Sequence, residues 1–391
     1  MAPPQTFKIC HLITRMIIGG AQENTLLSVK GLRELGHHVV LAGGPTQGPE
    51  GNLLHVQAGE PEPYHEFPDL VRQLKPGSDL HAYRALKAYF KAQAFDIVHT
   101  HSSKAGILGR MAARSAKCPL IVHTVHGQAF HPYEKWWRNK VYILAERFAA
   151  RRCDHMFAVA QAMIDQCVTA KIAPRDKYSV VYSGMDMQAF TEARPDPALR
   201  AQLGIPEGVP VIGKIARLFE FKGHDHLLQA ALGIVEEFPE VRFLLVGDGL
   251  LRPQLEAEVR RLGLEKNVVF AGLVPPREIP RYVALMDILA HLSLREGLPR
   301  TVVQALAGRV PAVGFALDGT PEVIHDGETG FLCPPKDAGA VENALRTLLR
   351  NPELIAQLGK QGQALVRERF DWRAMVKRLD ELYRTLWEQK G

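Results

Sequence analysis

Ser293 to Pro311 reads SLREGLPRTVVQALAGRVP, and this stretch decides the fold. An apolar strand, Ile288-Leu289-Ala290, precedes it. A polar turn at Ser293–Arg295 leads through Glu296-Gly297-Leu298-Pro299 into a short apolar helix over Thr301–Ala307. Pro299 suits the first helical turn, where its missing N–H is not needed, and Gly308 suits the far cap. Glu296 and Gly297 are therefore expected where a strand hands over to a helix N-terminus. Unpaired backbone N–H groups and the positive end of the helix dipole meet there, which makes a phosphate site. The Glu296 carboxylate adds an acceptor for hydroxyls beside it.

The same strand–turn–helix unit repeats outward from this point. Towards the N-terminus come helices over His224–Glu237, Leu251–Leu262 and Ile279–Leu285, alternating with strands over Val211–Ala216, Val241–Val246 and Val268–Phe270. A strand over Ala312–Phe315 follows, then helices over Ala338–Arg350, Pro352–Glu368 and Asp371–Glu388. Residues 191–210 hold Pro195, Pro197, Pro206 and Pro210, a density that marks a linker. Before it the pattern runs as a strand Phe7–Ile13, a loop with Gly19-Gly20, a helix Gln22–Leu35 and a strand Val39–Ala42. Residues 43–80 read as an irregular, exposed connection. Helices then cover Leu80–Ala94, Ser102–Ala116 and Glu134–Arg152, with strands at Phe95–Thr100, Leu120–Thr124, His155–Val159 and Val180–Tyr182. Alternation in both halves implies α/β architecture with two doubly wound, Rossmann-like domains. The expected division is 1–190, a linker over 191–210, a second domain over 211–368, and a terminal helix 369–391 packing back toward the first. Ligands of such sheets lie beyond the C-terminal strand ends, so a cleft faced by the two domains is the expected site.

Composition narrows the class. The chain of 391 residues is 46% hydrophobic and 23% charged, as soluble globular proteins are. It contains no apolar run of the ~18 residues that a membrane span needs, and its N-terminus lacks a signal-peptide layout. Five scattered cysteines without a CxxC pair point to reduced thiols and a cytoplasmic setting. Residues 1–190 carry 22 Lys+Arg against 15 Asp+Glu and the remainder 26 against 27, so the net charge of +6 resides in the first half. Such a half suits an anionic partner. A nucleic-acid binder would interleave those cations with aromatics on a recognised module, and none is visible.

Several short motifs sit at strand ends. Arg217 and Lys222 follow the first strand of the second half and are placed to neutralise a diphosphate; a surface ion-pair loop is the plainer alternative. Gly247 and Gly249, in Val246-Gly247-Asp248-Gly249, permit close backbone approach or form an ordinary turn. Glu296 and Gln304 are eight apart, a little over two helical turns, and share a face. His99, His101, His123 and His126 end two strands and invite a zinc reading, but no Cys or carboxylate completes a ligand set.

In their order (Arg217…Lys222-Gly223, Val246–Gly249, Phe270-Ala271-Gly272, Glu296–Pro299, Thr329–Leu332) these residues resemble the retaining nucleotide-sugar glycosyltransferases of the GT-B fold, family four. The resemblance also takes in Gly19-Gly20-Ala21, His123–Gly127 and the turn Ser183–Asp186, so it covers nearly the whole chain. It implies that Arg217 and Lys222 grip the donor diphosphate and that Glu296 contacts the donor sugar. Gly297 and Leu298 would offer backbone N–H groups to phosphate, and Gly19 and Gly20 would close over it. Gly247 and Gly249 would line the donor site, with His126 facing the reacting sugar. The family's second acid, which holds the ribose hydroxyls, is here Gln304, an amide whose bond lacks charge assistance. Ser183 and Ala160 also stand where Asn and Ser are usual. The implied reaction moves a sugar from a UDP-sugar to a glycan or lipid-linked acceptor of exopolysaccharide, capsule or lipopolysaccharide synthesis. Asp248 has no Asp-x-Asp partner, so no metal and no cofactor are expected. A sugar-nucleotide epimerase, a glycogen-type synthase or a weakly active binding subunit are the alternatives.

Trp136 and Trp137, flanked by Lys135 and Arg138, look like an interfacial anchor for anionic lipid. Leu144 and Phe148, on the same helix, are expected to pack on the sheet. The chain would then be cytoplasmic and peripheral on the inner face of the membrane.

Overall fold

Two units partition the chain in the computed structural model, which describes residues 5–46, 51–56 and 63–390. One comprises Met1–Met185 with Trp372–Gly391, the other Asp186–Asp371. The first unit runs β1 (Lys8–Ile13), α1 (Gly20–Glu34), β2 (His38–Gly43), α2 (Leu53–Val56), β3 (Tyr64–Glu66), α3 (Pro76–Gln93), β4 (Ile97–His101), α4 (Ser103–Ser115), β5 (Leu120–Val125), α5 (Trp136–Ala150), β6 (His155–Ala158), α6 (Gln161–Thr169) and β7 (Tyr178–Val180). The second runs α7 (Gln188–Glu192), α8 (Pro197–Gln202), β8 (Val211–Ile215), α9 (His224–Glu237), β9 (Arg242–Val246), α10 (Arg252–Leu262), β10 (Val268–Gly272), α11 (Ile279–Val283), β11 (Ile288–His291), α12 (Arg300–Ala307), β12 (Ala312–Phe315), β13 (Gly330–Cys333), α13 (Ala338–Leu349) and α14 (Pro352–Arg369). α15 (Trp372–Glu388) closes the chain in the first unit.

Both sheets are wholly parallel. The first has the order β3-β2-β1-β4-β5-β6-β7, the second β10-β9-β8-β11-β12-β13. Such strands are buried on both faces, which is why they read as continuous apolar runs rather than alternating ones; β12 is buried at every position. In each sheet the order in which strands are added reverses once, at β1/β4 in the first and β8/β11 in the second. The loops after those strands diverge and leave a crevice at the switch point.

α15 packs on α1 through Trp372, Met375, Val376, Leu379 and Tyr383, all buried in the core of the first unit. Gly31 makes this approach possible, since a Cβ there would stand 2.5 Å from Val376 Cγ2. Ser183 accepts a hydrogen bond from Asn24 Nδ2 at 3.0 Å beneath the same helix, so a small hydroxyl fits where the longer Asn is usual.

Several expectations are corrected. The linker expected over 191–210 carries α8 and belongs to the second unit, where Asp196 caps α8 and pairs with Arg281 at 2.6 Å. The irregular segment 43–80 holds β3 and the first turn of α3; residues 47–50 and 57–62 within it lie outside the described residues. The last strand of the first unit spans 178–180 rather than 180–182. Pro299 occupies the N-cap of α12, one residue before the helix, and Gly308 at its end has φ −82, with the left-handed turn falling on Arg309 at φ 63. Leu144 and Phe148 do not pack on the sheet: they are 60% and 42% exposed, and Ala149 and Ala150 fill the contact instead. α5 is held by ionic means at its inner face, where the wholly buried Arg110 of α4 donates to Glu146 Oε2 at 2.9 Å.

Candidate active site

The switch point of the second sheet brings two separate sequence motifs together. β8 ends at Ile215, β11 ends at His291, and the two strands are paired neighbours. The loop after β8 folds onto the end of β11. Leu294 donates its backbone N–H to Phe221 O at 2.8 Å, and Ser293 Oγ donates to the same carbonyl at 3.3 Å. Gly223 makes the approach possible: it has φ 66, and a Cβ there would lie 2.0 Å from Leu292 O. Its neighbour Lys222 is thereby fixed against Ser293 and Glu296.

Lys222 Nζ lies 2.9 Å from Glu296 Oε2 and 3.3 Å from Ser293 Oγ. Glu296 is oriented from behind, its backbone N–H donating to Asp318 Oδ2 at 2.8 Å. Burial pushes the Glu296 carboxyl up, but the Lys222 ammonium and His291 outweigh it, so the net shift is downward and the group stays ionised. His291 Nε2 stands 3.6 Å from the same carboxylate oxygen and has no hydrogen-bond partner among the described residues, while its Nδ1 faces Thr301 Oγ1 at 3.3 Å. Burial brings His291 down to about 4 against the pull of Glu296, so the ring is neutral at pH 7. Lys214, buried in β8, is lowered to about 7 by burial and then by the charge of Lys222. Sequence reasoning missed Lys214, His291 and Asp318 as members of this site. The first two carried a signal, a charged or titratable residue inside an apolar strand; Asp318 carried none.

The remaining residues expected here divide. Leu298 is buried, so its side chain belongs to the core and only its backbone is available. Gln304 lies half-buried in α12, on the helix that begins after Pro299. Arg217 is exposed with its guanidinium 5.1 Å from the Phe219 ring and is not drawn into the Lys222–Glu296 pair. Gly247 serves the fold as well as any ligand: it has φ 137, and a Cβ would stand 2.1 Å from Ala216 O. Gly249 likewise abuts Leu218 O. Asp248 is paired with Arg252 at 3.1 Å.

The first unit repeats the arrangement at its own switch point. Thr14, after β1, and Ser102, after β4, share a hydroxyl–hydroxyl bond of 2.7 Å, and Ala105 N–H donates to Thr14 Oγ1 at 3.1 Å. Gly19 is the N-cap of α1 and Gly20 its first residue. His126 follows β5. The histidines expected to cluster do so only in part. His99 and His101 share one face of β4 and are joined by His11 of β1, whereas His123 pairs in register with Thr100 and bonds its hydroxyl at 2.9 Å. Ligand nitrogens of His11, His99 and His101 lie within 4.8 Å of one another. Both nitrogens of His99 bond hydroxyls, Tyr383 and Thr124, at 2.6 Å each. This is the pattern of a hydrogen-bonded chain rather than a convergent ligand set.

Two family models describe the chain, "Glycosyltransferase Family 4" over residues 18–189 and "Glycosyl transferases group 1" over 195–365. An Escherichia coli protein named UDP-Gal:alpha-D-GlcNAc-diphosphoundecaprenol alpha-1,3-galactosyltransferase is 28% identical, over 86% of this chain and 87% of its own. A D-inositol 3-phosphate glycosyltransferase of Streptomyces avermitilis is 27% identical, over 85% of this chain and 73% of its own. Among solved structures, Anabaena Alr3699/HepE in complex with UDP superposes with a TM-score of 0.80 at 24% identity, covering 97% of this chain and 100% of that one. That likeness concerns the fold, which is GT-B.

Proposed function

We propose, for a chain that belongs to the family-four glycosyltransferases and is an enzyme of that class, transfer of a sugar from a UDP-sugar to a glycan or lipid-linked acceptor, with retention at the anomeric carbon. The observation that carries this is the Lys222–Glu296 pair at the β8/β11 switch point: one cation for the departing diphosphate, and one ionised carboxylate for sugar hydroxyls, 2.9 Å apart. Breaking the anomeric C–O bond leaves negative charge on the β-phosphate. Lys222, Arg217 and the backbone N–H groups ahead of α12, at Gly297 and Leu298, are assigned to stabilise it. The acceptor oxygen bonds the anomeric carbon on the face that the phosphate leaves, and its proton passes to the departing phosphate oxygen. Gln304 is assigned the ribose hydroxyls, and His126, in the first unit, a hydroxyl of the reacting sugar. This reading assigns no metal, because the cations and the helix N-terminus supply the charge.

The E. coli relative is named for a UDP-Gal donor and a diphosphoundecaprenol-linked acceptor, which supports a UDP-sugar and a lipid-linked acceptor here, in the synthesis of an envelope polysaccharide. α5 supports it independently. Trp136, Trp137, Val141, Leu144 and Phe148 leave an exposed apolar stripe on that helix. Cations lie over its aromatics: Lys140 over Trp136 at 4.9 Å, Arg138 over Trp137 at 5.2 Å and Arg152 over Phe148 at 3.3 Å. An anionic bilayer on the cytoplasmic side would meet both the charge and the apolar stripe. Lys135, Arg138 and Lys140, at about 1 kcal/mol each, give vesicle binding that changes about a hundredfold with salt.

A thermal-shift panel of UDP- and GDP-sugars tests the donor, since a ligand that binds only the folded state raises the midpoint. A UDP-sugar is expected to shift the wild type and to leave Lys222→Ala unshifted. Equal shifts in both proteins would refute the role of Lys222. Flotation with phosphatidylglycerol vesicles tests α5: binding at low salt is expected, and no binding there would refute the membrane contact.

A further inference from the structure

A line of buried polar side chains runs through the core of the first unit, and only its outer end, His126, has a role in the reading above. Tyr383 Oη lies 2.6 Å from His99 Nδ1 and 3.4 Å from His11 Nε2. His99 Nε2 lies 2.6 Å from Thr124 Oγ1. His11 Nδ1 meets His101 Nε2 at 2.9 Å, and His101 Nδ1 meets His126 Nε2 at 2.9 Å. Tyr383 and the three inner histidines are buried. Burial, then neighbouring charges, holds His11 at about 3 and keeps His99 and His101 well below their ordinary value; burial holds the Tyr383 phenol above its own. The inner members are therefore uncharged at neutral pH.

A neutral imidazole donates from one nitrogen and accepts at the other. The direction of one ring–ring bond fixes the next, and two arrangements give every ring nitrogen in the line and the phenol proton a partner. In the first, the phenol donates to His99 Nδ1 and accepts from His11 Nε2–H. His101 Nε2–H then donates to His11 Nδ1, and His126 Nε2–H to His101 Nδ1. In the second, every bond is reversed. The phenol has one proton and two ring neighbours. Hydrogen bonds weaken steeply with length and misalignment, so the proton goes to the partner at 2.6 Å, not the one at 3.4 Å. The phenol is also more acidic than the Thr124 hydroxyl, hence the better donor to His99. Both arguments select the first arrangement.

The geometry points to a tautomer relay: Tyr383, through His11 and His101, holds His126 in its Nε2–H form, so that Nδ1 accepts a hydrogen bond from a sugar hydroxyl and cannot donate to a phosphate. Tyr383 is then a positioning residue for His126, supplied by the last helix of the chain. The ligand half of this statement rests on the assignment of His126 to the donor sugar; the tautomer half does not.

Long-range proton–nitrogen correlation spectra of ¹⁵N-labelled full-length protein, without ligand at neutral pH, separate protonated from bare ring nitrogens. His11, His99, His101 and His126 are all expected as Nε2–H, with His126 assigned by the signal lost in His126→Gln. A bare Nε2 on His126 would overturn the relay. Tyr383→Phe keeps the ring and deletes the proton. It should turn His126 into a mixture of tautomers and lower kcat/KM about tenfold, the scale of one hydrogen bond. A folded Tyr383→Phe protein with an unchanged His126 spectrum would also overturn it. Thr124→Val, which removes the partner of His99 Nε2, reads the same coupling should the tyrosine variant not fold. If His126 is Nε2–H yet His126→Gln transfers sugar at the wild-type rate, the assignment to the sugar fails and the relay stands.

Discussion

Glu296→Gln separates the two halves of the Lys222–Glu296 pair. Without ligand, the carboxylate occupies the cation at 2.9 Å, so a diphosphate must compete for Lys222. At an effective dielectric near 20, the gross attraction at that distance is about 6 kcal/mol. Stripping water from both groups and ordering two flexible side chains returns most of it, and the pair is a quarter exposed on the lysine side. A net value of about 1–2 kcal/mol is left. The amide keeps the shape and releases the charge. The expected outcome is UDP binding that is unchanged or up to about tenfold tighter, with transfer slowed by about a hundredfold or more because the sugar loses its charged contact. Isothermal titration with UDP and a nucleotide-release assay read the two quantities separately. A folded Glu296→Gln protein that binds UDP more than about tenfold more weakly would refute the competition: the carboxylate would then be holding the phosphate site in shape rather than blocking it.

Two further outcomes are expected. Gln304→Glu should lower the donor Kd or leave it unchanged, measured by the same titration, because a carboxylate makes stronger bonds to ribose hydroxyls than an amide; a large rise would remove that role from the position. Lys214→Met should stabilise the protein near neutral pH. The folded value of Lys214 is about 7 against an ordinary 10.5, so between these values the unfolded chain holds a proton that the folded one sheds. Stability conferred by the wild-type residue therefore falls as pH drops from 10.5 to 7 and levels off below. Its removal should yield up to about 4 kcal/mol at pH 7 and progressively less towards pH 10; urea unfolding at several pH values checks the slope.

The sequence exposed the repeated strand–turn–helix unit because Gly and Pro punctuate it and because parallel strands are apolar throughout. β11, α12 and β12 fell within a residue or two of where Ile288–Phe315 placed them. What spacing could not show was adjacency across the sheet. Lys222 and Glu296 are 74 positions apart, and they meet only because β8 and β11 are paired at the reversal of strand order. The same applies to His11, which the β1/β4 register sets opposite His99; read along the chain, His99 and His101 seemed to belong with His123 and His126, of which only His126 reaches His101. The stripe on α5 was legible as a periodicity, but not the side on which it would lie. That depended on Arg110 finding Glu146 on the inner face, a pairing between two helices that no local pattern announces.

The return of α15 to the first unit has a consequence for biosynthesis. The second unit is a continuous stretch, Asp186–Asp371, lying between two pieces of the first. A chain emerging from the ribosome N-terminus first can complete the second unit while the first still lacks Trp372, Met375, Leu379 and Tyr383, all buried beneath α15. Until then α1 presents a bare apolar face, and His99 and His11 lack their phenol. The second unit is thus complete in sequence before the first, and the histidine line waits for the helix that follows it.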